Sequence, residues 1–196
     1  MRYPNGKDYK PTVKKEKKTT KEKSISSANR GMNLERDINL SNEYYLEKNI
    51  CLITKRPTPI NIVKVDYTQG ARITNAYFEH QSTTDYNGVY RGKYIDFEAK
   101  NTKCKTSFPL ANISAHQIKH LKNVLNFGGI AFFIIEFETL NEIYLLDAKY
   151  VIEHYEKPDR KSIPYSVFLE NAILIKEGFT PRLAYIDAVN KMYFND

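Results

Sequence analysis

Asp85 and the run Tyr94-Ile95-Asp96-Phe97-Glu98-Ala99-Lys100 hold the side chains best suited to chemistry. Side chains alternate across a β-strand, so Glu98 and Lys100 share one face while Phe97 and Ala99 share the other. The carboxylates of Asp85 and Glu98 are hard oxygen ligands of the kind Mg²⁺ takes, and Mg²⁺ keeps waters and accepts phosphate oxygens. Such an ion lowers the pKa of a bound water and polarises a scissile phosphate. Lys100 then orients the nucleophile or stabilises the charge gathering on phosphorus. Asp85, Glu98 and Lys100 therefore fit metal-dependent phosphodiester hydrolysis. The plainer alternative is a set of surface ion pairs, which contribute little. Ile95, Phe97 and Ala99 weigh against it, because an apolar face on the same strand sends the charged face toward a cleft beside the sheet. Asp96 shares the face of Glu98. It either supports the site or is simply solvated at the start of the strand, and solvation is the expectation.

The elements that must hold these residues are partly visible. Ser26 or Ser27 can cap a helix in which Leu34, Ile38 and Tyr45 recur at near-helical spacing, ending near Asn49. Residues 50–55 and 60–67 are rich in Ile, Val and Tyr and are separated by Pro57 and Pro59. Gln69-Gly70 reads as a turn into an extended stretch over 71–79, so 60–79 is expected to form a hairpin carrying Lys64 and Arg72. Asn87-Gly88 and Arg91-Gly92 punctuate the chain before a strand over 93–100. Ser114 caps a helix through Asn126 with Ile118, Leu121 and Leu125 on its apolar face, stopped by Gly128-Gly129. Residues 129–137 and 142–146 read as adjacent core strands. Helix is expected again near Tyr150 and from Thr180, where Thr-Pro supplies a cap and a first-turn proline. The sum is a mixed α/β core.

Charge is unevenly spread. Of the net +7, residues 1–30 carry ten Lys or Arg against three acids, which is the whole excess. Residues 1–27 have few large apolar side chains and are expected to be a basic arm, disordered until it binds. Such an arm neutralises phosphates without regard to base sequence. It also suits an acidic membrane or protein surface. No apolar run reaches the roughly 20 residues of a membrane-spanning helix, and the start of the chain lacks a secretory h-region. Two cysteines, Cys51 and Cys104, indicate neither a disulfide framework nor a four-ligand zinc site. The expected setting is a reducing cytoplasm.

Beyond these properties, Asp85 with Glu98-Ala99-Lys100 resembles the D…(D/E)-x-K centre of the restriction-endonuclease-like nucleases. The likeness to one family is more detailed. Arg2-Tyr3-Pro4-Asn5-Gly6-Lys7, residues 29–35 (NRGMNLE), Lys55-Arg56-Pro57-Thr58-Pro59, Ser82-Thr83-Thr84-Asp85-Tyr86-Asn87-Gly88, residues 91–100 (RGKYIDFEAK), residues 105–110 (KTSFPL) and Pro181-Arg182 resemble, in order, the RecU Holliday junction resolvases of Gram-positive bacteria. Thr84 stands where a proline is common in the wider superfamily, which agrees with that family. The resemblance implies a restriction-endonuclease-like mixed sheet flanked by helices, with the nuclease domain over 28–196 and a β stalk near 60–79 that enters the junction centre. It implies a homodimer that cuts four-way DNA junctions symmetrically in recombination and repair, with Mg²⁺ (or Mn²⁺) at each site. Thr83, Asp85, Glu98 and Gln117 would be the metal-site residues, and Lys100 would stabilise the transition state. Arg30, Lys55, Arg56, Lys64 and Arg72 are candidate DNA contacts. Recombinase and branch-migration machinery are further candidate partners, and association with the nucleoid follows.

Some residues read differently without that likeness. Gln117 would be an ordinary polar helix residue, and Glu35 could face the metal site from the first helix, although an exposed helix acid is the expectation. His116 and His120 can share a helix face, but no Glu follows His116 as in a zinc protease. Tyr44, Tyr45 and Tyr144 suit core or interface packing better than base stacking. Two rival functions stand beside junction resolution. One is a nuclease for plain duplex, and the other is a non-catalytic architectural protein that anneals or bridges DNA.

Overall fold

The computed structural model describes residues 27–78 and 83–194, with side chains from residue 34 onward. The expected basic arm, the side chain of Arg30 and residue Ser82 lie outside the described residues. Helix α1 (Ser27–Glu47) leads into β1 (Leu52–Lys55) and then a hairpin, β2 (Ile60–Asp66) and β3 (Arg72–Phe78). β4 (Tyr86–Tyr90) and β5 (Lys93–Thr102) follow, then β6 (Ser107–Pro109) and α2 (Ala115–Asn126). β7 (Ile130–Phe137), β8 (Glu142–Asp147), α3 (Ala148–Tyr155), β9 (Ser162–Pro164), α4 (Tyr165–Asn171), β10 (Ile173–Leu174) and α5 (Tyr185–Val189) complete the order.

Six strands form one mixed sheet in the order β1-β4-β5-β7-β8-β10. Only β5 and β7 run parallel, and α2 provides the crossover that a parallel pair requires. Alternation along β5 and β7 divides the core. Ile95, Phe97, Phe132 and Ile134 pack with Leu34, Ile38 and Tyr45 of α1 and with Tyr185 and Ile186 of α5. Ala131, Phe133 and Ile135 pack instead against Ile118, Leu121 and Val124 of α2 and Val151 of α3. Asp96, Glu98 and Lys100 fall on this second face by the same alternation.

A stack of rings crosses three strands beneath the charged residues. Tyr86 lies 4.8 Å from Phe97, and Phe97 lies 4.7 Å from Phe132, both nearly parallel. Tyr86 directly follows Asp85 and Phe97 directly precedes Glu98, so the stack fixes both backbones from the opposite face. It is further pinned to α1, because the Tyr86 hydroxyl donates to Asn39 Oδ1 at 3.1 Å.

Several expectations are corrected. Asn87-Gly88 is not a turn but lies inside β4, paired with β1. A Cβ at Gly88 would come within 2.0 Å of the Leu52 carbonyl oxygen, so glycine there admits the close approach of two strands. The turn is Arg91-Gly92, where φ is +48° and +74°, the positive pair that a two-residue hairpin favours. Val124 joins Ile118 and Leu121 on the buried face of α2, with Leu125 half-buried against the same core. No helix starts at Thr180. Gly178 donates to the Arg182 carbonyl and Ala184 to that of Lys176, so these backbone groups pair across a turn, and the helix begins at Tyr185.

The hairpin β2–β3 pairs with neither of the other sheets and is exposed along most of its length. Lys64 stands opposite Asn75 beside a register shift, and Arg72 stands opposite Asp66. The apolar side chains Ile62, Val63, Tyr77 and Phe78 are 51–79% exposed, on an element that is marginal in isolation.

Candidate active site

The antiparallel register of β4 and β5 pairs Tyr86 with Phe97, and one step further places Asp85 opposite Glu98. The Asp85 backbone N–H donates to Glu98 Oε2 at 3.1 Å, and Asp85 Oδ2 accepts from the Ala99 N–H at 3.5 Å. Lys100 Nζ lies 2.7 Å from Glu98 Oε1. Gln117 of α2 donates its amide to the same oxygen at 2.5 Å. Asp85, Glu98, Lys100 and Gln117 are thus brought into one cluster between the sheet and α2. Thr83 is half-buried two residues before Asp85.

Gln117 has a second task. Its carbonyl oxygen accepts from the Ser114 N–H at 3.0 Å, forming a capping box with the Ser114 side chain. The residue that orders the first turn of α2 therefore also orients Glu98. From sequence the capping Ser114 was visible, whereas the contact with Glu98 depends on how α2 docks on the sheet.

Glu98 is fully buried yet carries a carboxyl group. Burial, and then the charge of Asp85, push its pKa up to about 8, against a smaller lowering by Lys100. Two acids crowded together at low dielectric favour a divalent cation that neutralises both. Among the described residues, no group of three or more His, Cys, Asp or Glu could cage an ion. Two carboxylates with neutral oxygens are nevertheless the set expected for Mg²⁺, which is usually held by one or two carboxylates and waters. The carboxylate oxygens of Asp85 and Glu98 fit that ion, whereas Gln117 meets Glu98 through its amide nitrogen and spends its oxygen on Ser114.

Asp96, expected to be solvated, is instead fully buried. The cause is a ring of donors supplied by Arg56, Tyr94, Thr84 and His120, which the sequence separates by up to 64 positions. Arg56, a candidate DNA contact, directs its guanidinium into this cluster and is 18% exposed. Lys55 is paired at 2.5 Å with Glu35, which is half-buried on α1. Lys64 and Arg72 stand on the hairpin, away from the cluster in sequence and in sheet. Tyr45 and Tyr144 are core residues as expected. No helix among the described residues is long and apolar enough to cross a membrane.

The family model for recombination protein U (RecU) matches residues 29–191 of this chain. Holliday junction resolvase RecU of Bacillus cytotoxicus is 51% identical over 200 residues, covering 100% of this chain and 99% of its own. Holliday junction resolvase RecU of Geobacillus kaustophilus is 50% identical over 199 residues, covering 99% of this chain and 98% of its own. Among solved structures, Archaeoglobus fulgidus Hjc, a Holliday junction resolvase from an archaeal hyperthermophile, matches 71% of this chain and 93% of that one with a TM-score of 0.43 and 15% identity.

Proposed function

We propose that this chain, which belongs to the RecU family, is a Mg²⁺-dependent endonuclease that resolves four-way DNA junctions by paired, symmetric cuts. The observation that carries this function is the convergence of Asp85, Glu98 and Lys100 at one end of the β4–β5 pair. Relatives of about 50% identity named as Holliday junction resolvases supply the substrate. Asp85 and Glu98 are the residues that would hold the ion, with Thr83 at its rim. A bound Mg²⁺ supplies Lewis-acid polarisation of the phosphate and a more acidic attacking water.

The rest falls to the chain itself. Gln117 keeps Glu98 in one rotamer, which matters because misplacing a reacting group by about 1 Å costs roughly 100-fold in rate. Lys100, held beside Glu98 in the free protein, is close enough to meet the phosphate and offset charge developing on its oxygens. Burial of Glu98 keeps water from screening that interaction. A two-fold homodimer would present two such sites to a junction with matching pseudo-symmetry. The hairpin would enter the junction centre, with Lys64 and Arg72 against phosphates and its apolar side chains toward unstacked bases. The N-terminal arm would add affinity blind to sequence.

The test is cleavage of a labelled four-way junction and a matched linear duplex, with Mg²⁺ or chelator, by wild type and Asp85→Asn at equal binding. Symmetric nicks in the junction alone, lost in the variant and with chelator, are expected. Cutting of the plain duplex at the same rate would point to a different nuclease. Junction binding without cleavage at any Mg²⁺ concentration would leave an architectural protein.

A further inference from the structure

Asp96 sits one position along the same face of β5 from Glu98, and nothing in the chemistry above employs it. Its two oxygens meet four donors. Arg56 Nη2 lies at 2.7 Å, Tyr94 OH at 2.8 Å and His120 Nε2 at 2.8 Å from Oδ2, and the Thr84 hydroxyl meets Oδ1. A carboxylate facing a guanidinium only accepts, which sets the direction of each bond. The Thr84 O–H donates to Asp96, and its oxygen accepts from Arg56 Nη1 at 2.8 Å. The Tyr94 hydroxyl likewise donates to Asp96 and accepts from Arg56 Nη2 at 2.8 Å. His120 must then carry a proton on Nε2.

The connectivity of this cluster gives it a consequence for the site. Arg56 is the residue after β1, where the chain leaves for the hairpin, and Thr84 lies on the chain returning from it. Arg56 also donates its backbone N–H to the Asp85 carbonyl at 2.7 Å. Both roots of the hairpin and the residue beside Asp85 are therefore tied to one buried carboxylate. His120 anchors that carboxylate to α2, three residues after Gln117 on the same side of the helix. A single helix thus holds the two neighbouring acids of β5, Glu98 through Gln117 and Asp96 through His120.

We propose that His120 is a positioning residue for strand cleavage: through Asp96 it locks Arg56 and Thr84 and so holds Asp85 opposite Glu98. The reaction concerned is the junction cleavage proposed above, so the role rests on that function. His120 is 24% exposed, and its loss leaves Asp96 three donors, so the fold survives while the backbone at Thr84-Asp85 loosens. Turnover is the quantity affected, since the Nε2 of His120 is spent on Asp96.

The experiment compares wild type, His120→Ala and His120→Gln, with Lys122→Ala on the same helix as a surface control. Turnover is measured at saturating junction with Mg²⁺, junction affinity with Ca²⁺ in its place, and amide hydrogen exchange over 84–86 without DNA. His120→Ala should lower turnover by about 10- to 100-fold, change junction affinity by less than about 2-fold, and speed exchange at the Asp85 amide. His120→Gln, whose amide donates near the place of Nε2, should restore most of both, and Lys122→Ala should match wild type. Full turnover in His120→Ala overturns the role. So does a loss with unchanged exchange at Asp85, or one that His120→Gln fails to mend. If wild type cuts no junction, the proposed function fails, while the exchange comparison alone still decides whether His120 holds Asp85.

Discussion

Binding of a divalent cation should expel a proton from the protein, and the amount follows from Glu98. Its carboxyl is pushed up to about 8, first by burial and then by Asp85. An ion that needs the carboxylate must displace the proton held there. With that pKa, roughly 0.9 of a proton is bound at pH 7, about 0.5 at pH 8 and about 0.1 at pH 9. Cation affinity should then strengthen by about 50-fold from pH 6 to pH 8 and level off above. Calorimetric titration with Mg²⁺ or Mn²⁺, in buffers of different ionisation heat, reads the proton count directly. Two variants sharpen the test by opposite signs. Lys100→Met removes a group that lowers the pKa and should move the window upward. Asp85→Asn removes a charge that raises it and should move the window downward, besides weakening binding. The metal-free protein should show the converse dependence. The folded pKa lies above the ordinary carboxyl value of 4.5, so this contribution to stability is full below about pH 4.5 and is lost as pH rises toward about 8. Cation affinity that is flat from pH 6 to pH 8, with no proton released at pH 7, would mean that Glu98 is already ionised in the free protein and would refute the burial argument.

Three other outcomes are expected. Gln117→Ala removes both a donor to Glu98 and half of a capping box, so cation affinity should fall about 10-fold and stability by about 1 kcal/mol, read by titration and by urea melts. Phe97→Ala breaks the ring stack under both acids and should cost about 3–5 kcal/mol in chemical denaturation; a cost below about 1 kcal/mol would show that the stack does not brace the site. Lys64→Glu should weaken junction binding and lower the slope of log affinity against log salt by about 1 or more.

The common face of Glu98 and Lys100 was legible in sequence because strand periodicity is local. Once 93–100 is read as a strand, Glu98 and Lys100 share a face without any knowledge of the fold. The same holds for the capping Ser114 and for Leu34, Ile38 and Tyr45, whose spacing already describes the buried side of α1. What escaped the sequence depends on docking. Asp96 looks like a solvated strand-start acid until β1, the return from the hairpin and α2 each bring a donor to it. Asn87-Gly88 has the composition of a turn, and only the approach of β1 explains a glycine in mid-strand. Thr180-Pro181 has the composition of a helix start. The backbone there pairs across a turn instead, and the C-terminal chain is held to α1 by the Tyr45 hydroxyl and Ser41 Oγ, both bonded to the backbone of Leu183. Long-range hydrogen bonds overrode local propensity in each case.

The interior of the site also bears on the choice between a nuclease and a DNA-bridging protein. A protein that only bridges DNA needs basic surface, which the hairpin and the basic N-terminal segment already provide. It has no need of Glu98, a fully buried acid held beside Asp85 and bonded to Lys100 and Gln117. Burying such a pair is commonly no better for stability than filling the space with apolar side chains, and breaking it is costly. An arrangement that costs folding energy and crowds two carboxylates together is accounted for once a cation and a phosphate enter it. The hairpin proposed to contact DNA is, moreover, not separate from it. The hairpin leaves the sheet at Arg56 and returns by Thr84, and those two residues are bonded to each other and to the strand that carries Glu98. On the proposed function, a junction that engages the hairpin would act on residues bonded to the Asp85 backbone. Plain duplex, which offers no open centre to fill, would bind the basic surfaces without that effect.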